Sequence, residues 1–161
     1  MKTLTIVRHG KSSWEHQVRD HDRPLNERGI NDGHLIGKYL KSAGIQPDRI
    51  VTSTAARALQ TATIVVEYID YGLNSLRLDR SLYTFDSREQ LKFVKHQDPD
   101  CDHLMIFSHN HGLTDLVNYL GSSRFDNVPT TGVVTIEFDC TQWVDINNGN
   151  TTFHVFPKDL K

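Results

Sequence analysis

A chain of 161 residues with 37% apolar and 24% charged residues has the composition of one folded domain, 1–161, able to bury a core and form a pocket. A net charge of −2 excludes a global basic field for nucleic acid, so any cationic site must be local. The longest apolar runs, among them Leu4–Val7 and Leu104–Phe107, fall far short of the ~18 residues of a membrane span.

Lys2–Arg8 reads as a buried strand, because β-branched and apolar residues cluster before Gly10. Charged Arg8 arrives too early for a signal-peptide apolar region. Cys101 and Cys140 form no CxxC pair, and both points make a reducing cytoplasm the expected location. Trp14–Pro24 is a polar loop carrying Asp20, Asp22 and Arg23. Asn26 caps an expected helix through Lys41 that Gly44 stops. Arg49–Thr52 is a second strand, and Ala55–Ile69 has helical spacing at Ala58, Ala62, Val65, Val66 and Ile69. Leu76–Leu78 is a short strand. Ser87 and Gln90 read as a capping box opening a helix through Lys95.

Leu104–Phe107 is the next strand, followed by an amphipathic helix (Leu113, Leu116, Val117, Leu120) ended by Gly121. The remainder turns to β character: Val133–Phe138, then Trp143–Ile146 and Thr152–Phe156 about a turn at Asn148-Gly149. Strands alternating with helices imply an α/β domain in which helices flank a mostly parallel mixed sheet that ends in a C-terminal β-hairpin.

Ligands in open α/β sheets bind beyond the carboxyl ends of the strands. Arg8-His9-Gly10, Ser53–Arg57 and Ser108–Gly112 all fall there, so two arginines and two histidines are expected to share a cavity. Arginine binds phosphate oxygens bidentately and stays charged. A neutral imidazole is a competent nucleophile near pH 7, and Gly10 allows close backbone approach. In-line phosphoryl transfer needs this combination of nucleophile and charge compensation.

Competing chemistries are poorly served by the letters. Gly10-Lys11-Ser12 resembles the end of a P-loop, but the required upstream glycine is Thr5. A Cys-x5-Arg phosphatase would need arginine at Phe107 or Ile146. His109-Asn110-His111 is the best metal-like pair, yet Asp115 is the nearest carboxylate behind it, so a metal-dependent hydrolase is disfavoured. A phosphate-binding module would need the arginines but neither His9 nor His109.

Ile6-Val7-Arg8-His9-Gly10-Lys11-Ser12-Ser13-Trp14 resembles the signature of the histidine phosphatase superfamily, the phosphoglycerate mutase-like fold. The likeness continues in order through Asp22–Leu25 with Arg28-Gly29, Ser53–Ala58 with Gln60–Ala62, Leu82-Tyr83, Ser108–Asn110 with Gly112-Leu113, and Pro129–Gly132. It is greatest to the small SixA-like phosphohistidine phosphatases. The resemblance implies a three-layer domain in which His9 is phosphorylated during turnover. Arg8, Arg57 and His109 would complete the phosphate pocket, with Arg23 as an additional anion-binding arginine.

It also implies no metal, no organic cofactor, and a partner that is either a phosphorylated protein histidine or a small phosphorylated metabolite. Two departures from the family pattern stand out. His111 replaces the usual proline, and no glutamate between Gly72 and Asp86 matches the mutase proton donor. Asp20 or Asp22 is the candidate acid for phosphate esters, and Ser12 is a candidate donor to phosphate, whereas Tyr83 reads as core packing.

Overall fold

The computed structural model describes residues 1–161. The strands are β1 (Lys2–Arg8), β2 (Arg49–Thr52), β3 (Arg77–Leu78), β4 (His103–Ser108), β5 (Val133–Phe138) and β6 (Asn150–Val155). The helices are α1 (Glu27–Ser42), α2 (Ala56–Tyr68), α3 (Ser87–Lys95) and α4 (Gly112–Leu120). Short 3-10 turns link them, one of them at Asp20–Asp22. The strands form one sheet in the order β3-β2-β4-β1-β5-β6, parallel from β3 to β1 and antiparallel at β5 and β6. No helix is long and apolar enough to cross a membrane.

The period-2 alternation of the central strands builds the three layers. Leu4, Ile6, Leu104 and Ile106 point to one face and pack with Leu113, Leu116, Val117 and Leu120 of α4. Val7, Met105 and Phe107 point to the other, against Ile36 and Leu40 of α1 and Val65 and Val66 of α2. Because both faces are covered, the central strands are almost continuously apolar.

Asn26 caps α1 through its side chain, which accepts from the Gly29 amide, and Gly44 follows the helix at φ +72°, where glycine carries no Cβ penalty. Two local expectations fail. Trp143–Ile146 is not a strand: Trp143–Asp145 is a 3-10 turn, because the Trp143 ring is buried and its Nε1 donates to the Cys101 carbonyl. The hairpin is instead made by β5 and β6 across that longer connection. Ser87 does not cap α3; Asp86 does, accepting from the Arg88 amide. Gln90 is thereby free to turn inward, where it is fully buried.

The first turn of α1 lies directly on the loop after β1. The Asn26 amide donates to the Lys11 carbonyl (2.9 Å), and a Cβ at Gly29 would collide with that same carbonyl oxygen. Gly10 is needed for this contact too, since its own Cβ would stand 3.1 Å from the Gly29 carbonyl oxygen. Alanine normally favours a helix over glycine by up to about 1 kcal/mol, but overpacking against fixed backbone costs about 1–3 kcal/mol. Gly29→Ala is therefore expected to lower the unfolding free energy in urea; an unchanged or raised midpoint would show that the two loops separate readily.

Candidate functional site

The carboxyl ends of β1, β2 and β4 lie side by side, and each delivers one group to the same place. β1 ends in Arg8-His9, β2 leads through Ser53 into α2 with Arg57 in its first turn, and β4 ends at Ser108-His109. His9 (8% exposed), Arg57 (2%) and His109 (0%) are all buried, and the two imidazole centroids are 5.1 Å apart. The 127–131 segment ties down the end of β1. Thr131, at φ +61°, donates its amide to the Arg8 and His9 carbonyls, and Arg8 donates from Nη1 to the Val128 carbonyl (2.9 Å).

His9 Nδ1 is 2.7 Å from the Gly10 carbonyl oxygen. A carbonyl can only accept, so Nδ1 carries the proton and Nε2 keeps its lone pair. Burial is the largest influence on His9 and drives its pKa down to about 3; the Gly10 hydrogen bond opposes this, while Arg57, Arg8 and Arg23 reinforce it. The ring is neutral at pH 7, with Nε2 unprotonated.

His109 is set in a similar way. The Ser53 hydroxyl accepts from the Ala55 amide (3.2 Å) and lies 2.7 Å from His109 Nε2. A hydroxyl can donate or accept, so this bond places the His109 proton on Nδ1 only where Oγ is the donor; Nδ1 itself is buried with no protein partner. Burial, then repulsion from His9 when that ring is protonated and from Arg57, lowers the His109 pKa to about 2. From below, buried Gln90 donates to the His109 carbonyl (3.0 Å) and the Ser108 hydroxyl (3.1 Å).

The arginines are arranged around these rings with donors to spare. Arg57 uses Nη1 on the Asp20 carbonyl (2.7 Å) and Nη2 on the Asp20 carboxylate (3.0 Å), while its Nε has no partner. Arg8 Nε and Arg23 Nη1 are likewise buried without a hydrogen-bond partner, and Arg23 Nε has only an ion-pair approach to Asp20 Oδ1 at 3.4 Å. Trp14 stacks on the Arg23 guanidinium at 3.5 Å and holds it in place. Buried polar groups are otherwise almost always satisfied, so a cluster of orphan N–H donors around two neutral imidazoles suits a bound oxyanion.

The remaining sequence candidates separate. Asp20 sits in the site, as the counter-ion of Arg57. Its own burial opposes ionisation, but hydrogen bonds from Tyr83 (2.7 Å) and Arg57 outweigh this and hold its pKa below the usual range. An ionised, hydrogen-bonded Asp20 has no proton to donate in this arrangement. Asp22 points outward to Arg19 and His21. Ser12 is buried beside Leu25 in an isolated bridge. His111 is exposed and pairs with Asp115 (3.5 Å). No group of three or more His, Cys, Asp or Glu side chains is placed to hold a metal ion.

Sequence reading missed Tyr83, Phe85 and Gln90. Tyr83 is not core: its hydroxyl binds Asp20, and its ring stands edge-on to His109 and His21. Phe85, 52% exposed, has its centroid 5.3 Å from that of His109. The buried glutamine had a sequence signal only in the misread capping box.

The model of the histidine phosphatase superfamily (branch 1) matches residues 4–83, the stretch that contributes Arg8, His9, Arg23 and Arg57. The chain belongs to the histidine phosphatase superfamily. Among curated relatives of this superfamily member, an uncharacterized chloroplastic protein of Arabidopsis thaliana is 28% identical over 131 residues, 76% of this chain; the match spans only 60% of that protein's length. The histidine phosphatase fold is shared with the protein histidine phosphatase SixA complexed with tungstate (TM-score 0.84, 21% identity, 99% of each chain). It is shared also with a mycobacterial glucosyl-3-phosphoglycerate phosphatase (TM-score 0.72, 13% identity, 94% of this chain and 97% of that one).

In this superfamily member the neutral state of His9 has a measurable thermodynamic consequence. Unfolded histidine binds a proton below about 6.5, whereas folded His9 resists protonation to about 3, so between these values the unfolded state holds more protons. The contribution to stability is complete above about 6.5 and is lost as pH falls toward 3. A His9→Asn variant, compared with wild type by urea unfolding, should therefore gain about 2 kcal/mol relative to wild type between pH 7 and pH 5. A difference independent of pH would show that His9 titrates normally.

Proposed function

We propose that the protein is a phosphatase acting through a phospho-His9 intermediate, with a protein phosphohistidine as its substrate. The observation that carries this reading is the pairing of an unprotonated His9 Nε2 with the surrounding orphan donors of Arg8, Arg23 and Arg57 and the unpartnered Nδ1 of His109. His9 Nε2 attacks phosphorus in line, a P–N bond forms, and the bond to the leaving group breaks. Charge on the equatorial oxygens is taken up by the three guanidinium groups and by His109 Nδ1–H. Water then attacks phospho-His9, releasing orthophosphate and restoring the imidazole. No metal or organic cofactor enters this route.

The leaving group favours phosphohistidine. An alkoxide is strongly basic and needs a proton from the enzyme, but Asp20 is held ionised and Asp22 faces away. An imidazole leaving group, with a reference pKa of about 6.5, can carry its own proton as it departs. Likeness in fold to SixA agrees with this choice, and likeness to the sugar-phosphate enzyme keeps a small phosphorylated metabolite as the second reading.

Turnover of phosphoramidate, a phosphohistidine protein, an aryl phosphate and an alkyl phosphate separates these readings. Phosphohistidine and phosphoramidate should be cleaved, the aryl ester more slowly, and the alkyl ester by orders of magnitude less. His9→Ala should abolish all turnover while tungstate binding persists. Undiminished turnover by His9→Ala would exclude the covalent route, and preference for the alkyl ester would favour the metabolite reading.

A further inference from the structure

We infer that a cationic groove beside the catalytic centre docks an acidic surface of the phosphoprotein substrate. This inference rests on the proposed phosphatase activity toward a protein.

β5 enters the sheet, and β6 leaves it, at the edge where β1 ends in His9. The segments at those two ends, together with the start of α1, enclose a half-open cavity of ≈ 520 Å³. Arg28, Arg124, Lys158 and Lys161 line it over the rings of Phe125 and Phe156, and Asp126 is the one acidic lining residue. Arg28 and Lys161 also flank buried Asp32, at 3.6 and 3.0 Å. Arg124 and Lys158 are exposed, and neither has an ion-pair or side-chain hydrogen-bond partner. With Arg28 and Lys161 partly offset by Asp32, and with Asp126 in the lining, Arg124 and Lys158 supply a local surplus of positive charge in a protein of net charge −2.

The groove and the catalytic centre share a wall. Asn127, Pro129 and Thr130 line the groove. From the same segment the Val128 carbonyl receives Arg8, Thr131 donates to the Arg8 and His9 carbonyls, and Asn127 Oδ1 accepts from Asn110 Nδ2 (2.8 Å), one residue after His109. A partner presenting a phosphorylated side chain to His9 therefore brings neighbouring surface over the groove.

The construction suits dispersed carboxylates better than one phosphate. Its cations sit on long, separate side chains, whereas the catalytic site fixes its donors by burial. Exposed Trp14 (77%) and Phe85 (52%) also border the catalytic centre, and such aromatic rings are typical of macromolecular contact surfaces. Charge complementarity at a rim chiefly raises association rate and selects partners.

The test uses two phosphohistidine peptides of equal length, one rich in Asp and Glu around the phosphohistidine, the other carrying Asn and Gln instead. Wild type should favour the acidic peptide in kcat/KM by about three- to tenfold at low ionic strength, a preference that fades with added salt. An Arg124→Gln/Lys158→Gln double variant should lose the preference while its turnover of phosphoramidate stays at the wild-type rate. Binding of the unphosphorylated acidic peptide, read by fluorescence anisotropy, should weaken in the same variant.

Equal kcat/KM for both peptides, or a preference that survives the double substitution, would overturn the docking role. So would protection of Arg124 and Lys158 by orthophosphate with no discrimination between peptides, which would mark a small-anion site. If wild type cleaves neither phosphoramidate nor peptide, the phosphatase reading has failed, and the anisotropy comparison still decides whether the groove binds acidic chains.

Discussion

A single hydrogen bond, from His9 Nδ1 to the Gly10 carbonyl, governs the chemistry that the rest of the site can support. It fixes the tautomer, and with it the atom on which a lone pair remains. Burial supplies the other half of the constraint by making an imidazolium costly beside three guanidinium groups. The carbonyl is correctly placed because Gly10 and Gly29 let α1 lie on the loop, and because the Gly10 amide donates to Thr61 Oγ1 of α2 (2.9 Å). Helix packing on one face of the sheet thus reaches His9 through two contacts at Gly10, one with the Gly29 backbone and one with Thr61 Oγ1.

The gathered positive charge is the second constraint. Arg8, Arg23 and Arg57 converge where solvent is largely excluded, and Asp20 is the only carboxylate that reaches them. By holding both terminal nitrogens of Arg57, Asp20 orients the guanidinium and offsets part of its charge, while Nε stays buried and unpartnered. Tyr83 fastens Asp20 from the far side. On the proposed reading a bound phosphate completes the compensation, so the site is built to favour the anion before any bond is made or broken.

Legibility in the sequence followed how local each signal was. β1, β2, β4 and β5 announce themselves through short β-branched runs, and α1 through an asparagine cap and a terminal glycine. The positions of His9, Arg57 and His109 at one sheet edge follow from strand polarity alone. What escaped depends on contacts between distant segments. Tyr83 looks like an ordinary core aromatic until the 3-10 turn at Asp20–Asp22 carries a carboxylate to its hydroxyl, 63 residues away in sequence. Gln90 looks like a capping residue, but Asp86, one position before Ser87, takes that work and leaves Gln90 to the interior. Trp143 has the letters of a strand, but its indole finds a buried carbonyl and the chain turns instead.

The covalent step is the claim on which the functional reading turns, and it can be observed directly. Rapid mixing with excess phosphoramidate, an alkaline quench that preserves phosphohistidine, and mass spectrometry of the peptide containing His9 would register the intermediate. Phosphate on His9, formed and lost at rates compatible with steady-state turnover, is the predicted result. Turnover at an undiminished rate with His9 never phosphorylated, or with the phosphate on another residue, would contradict it.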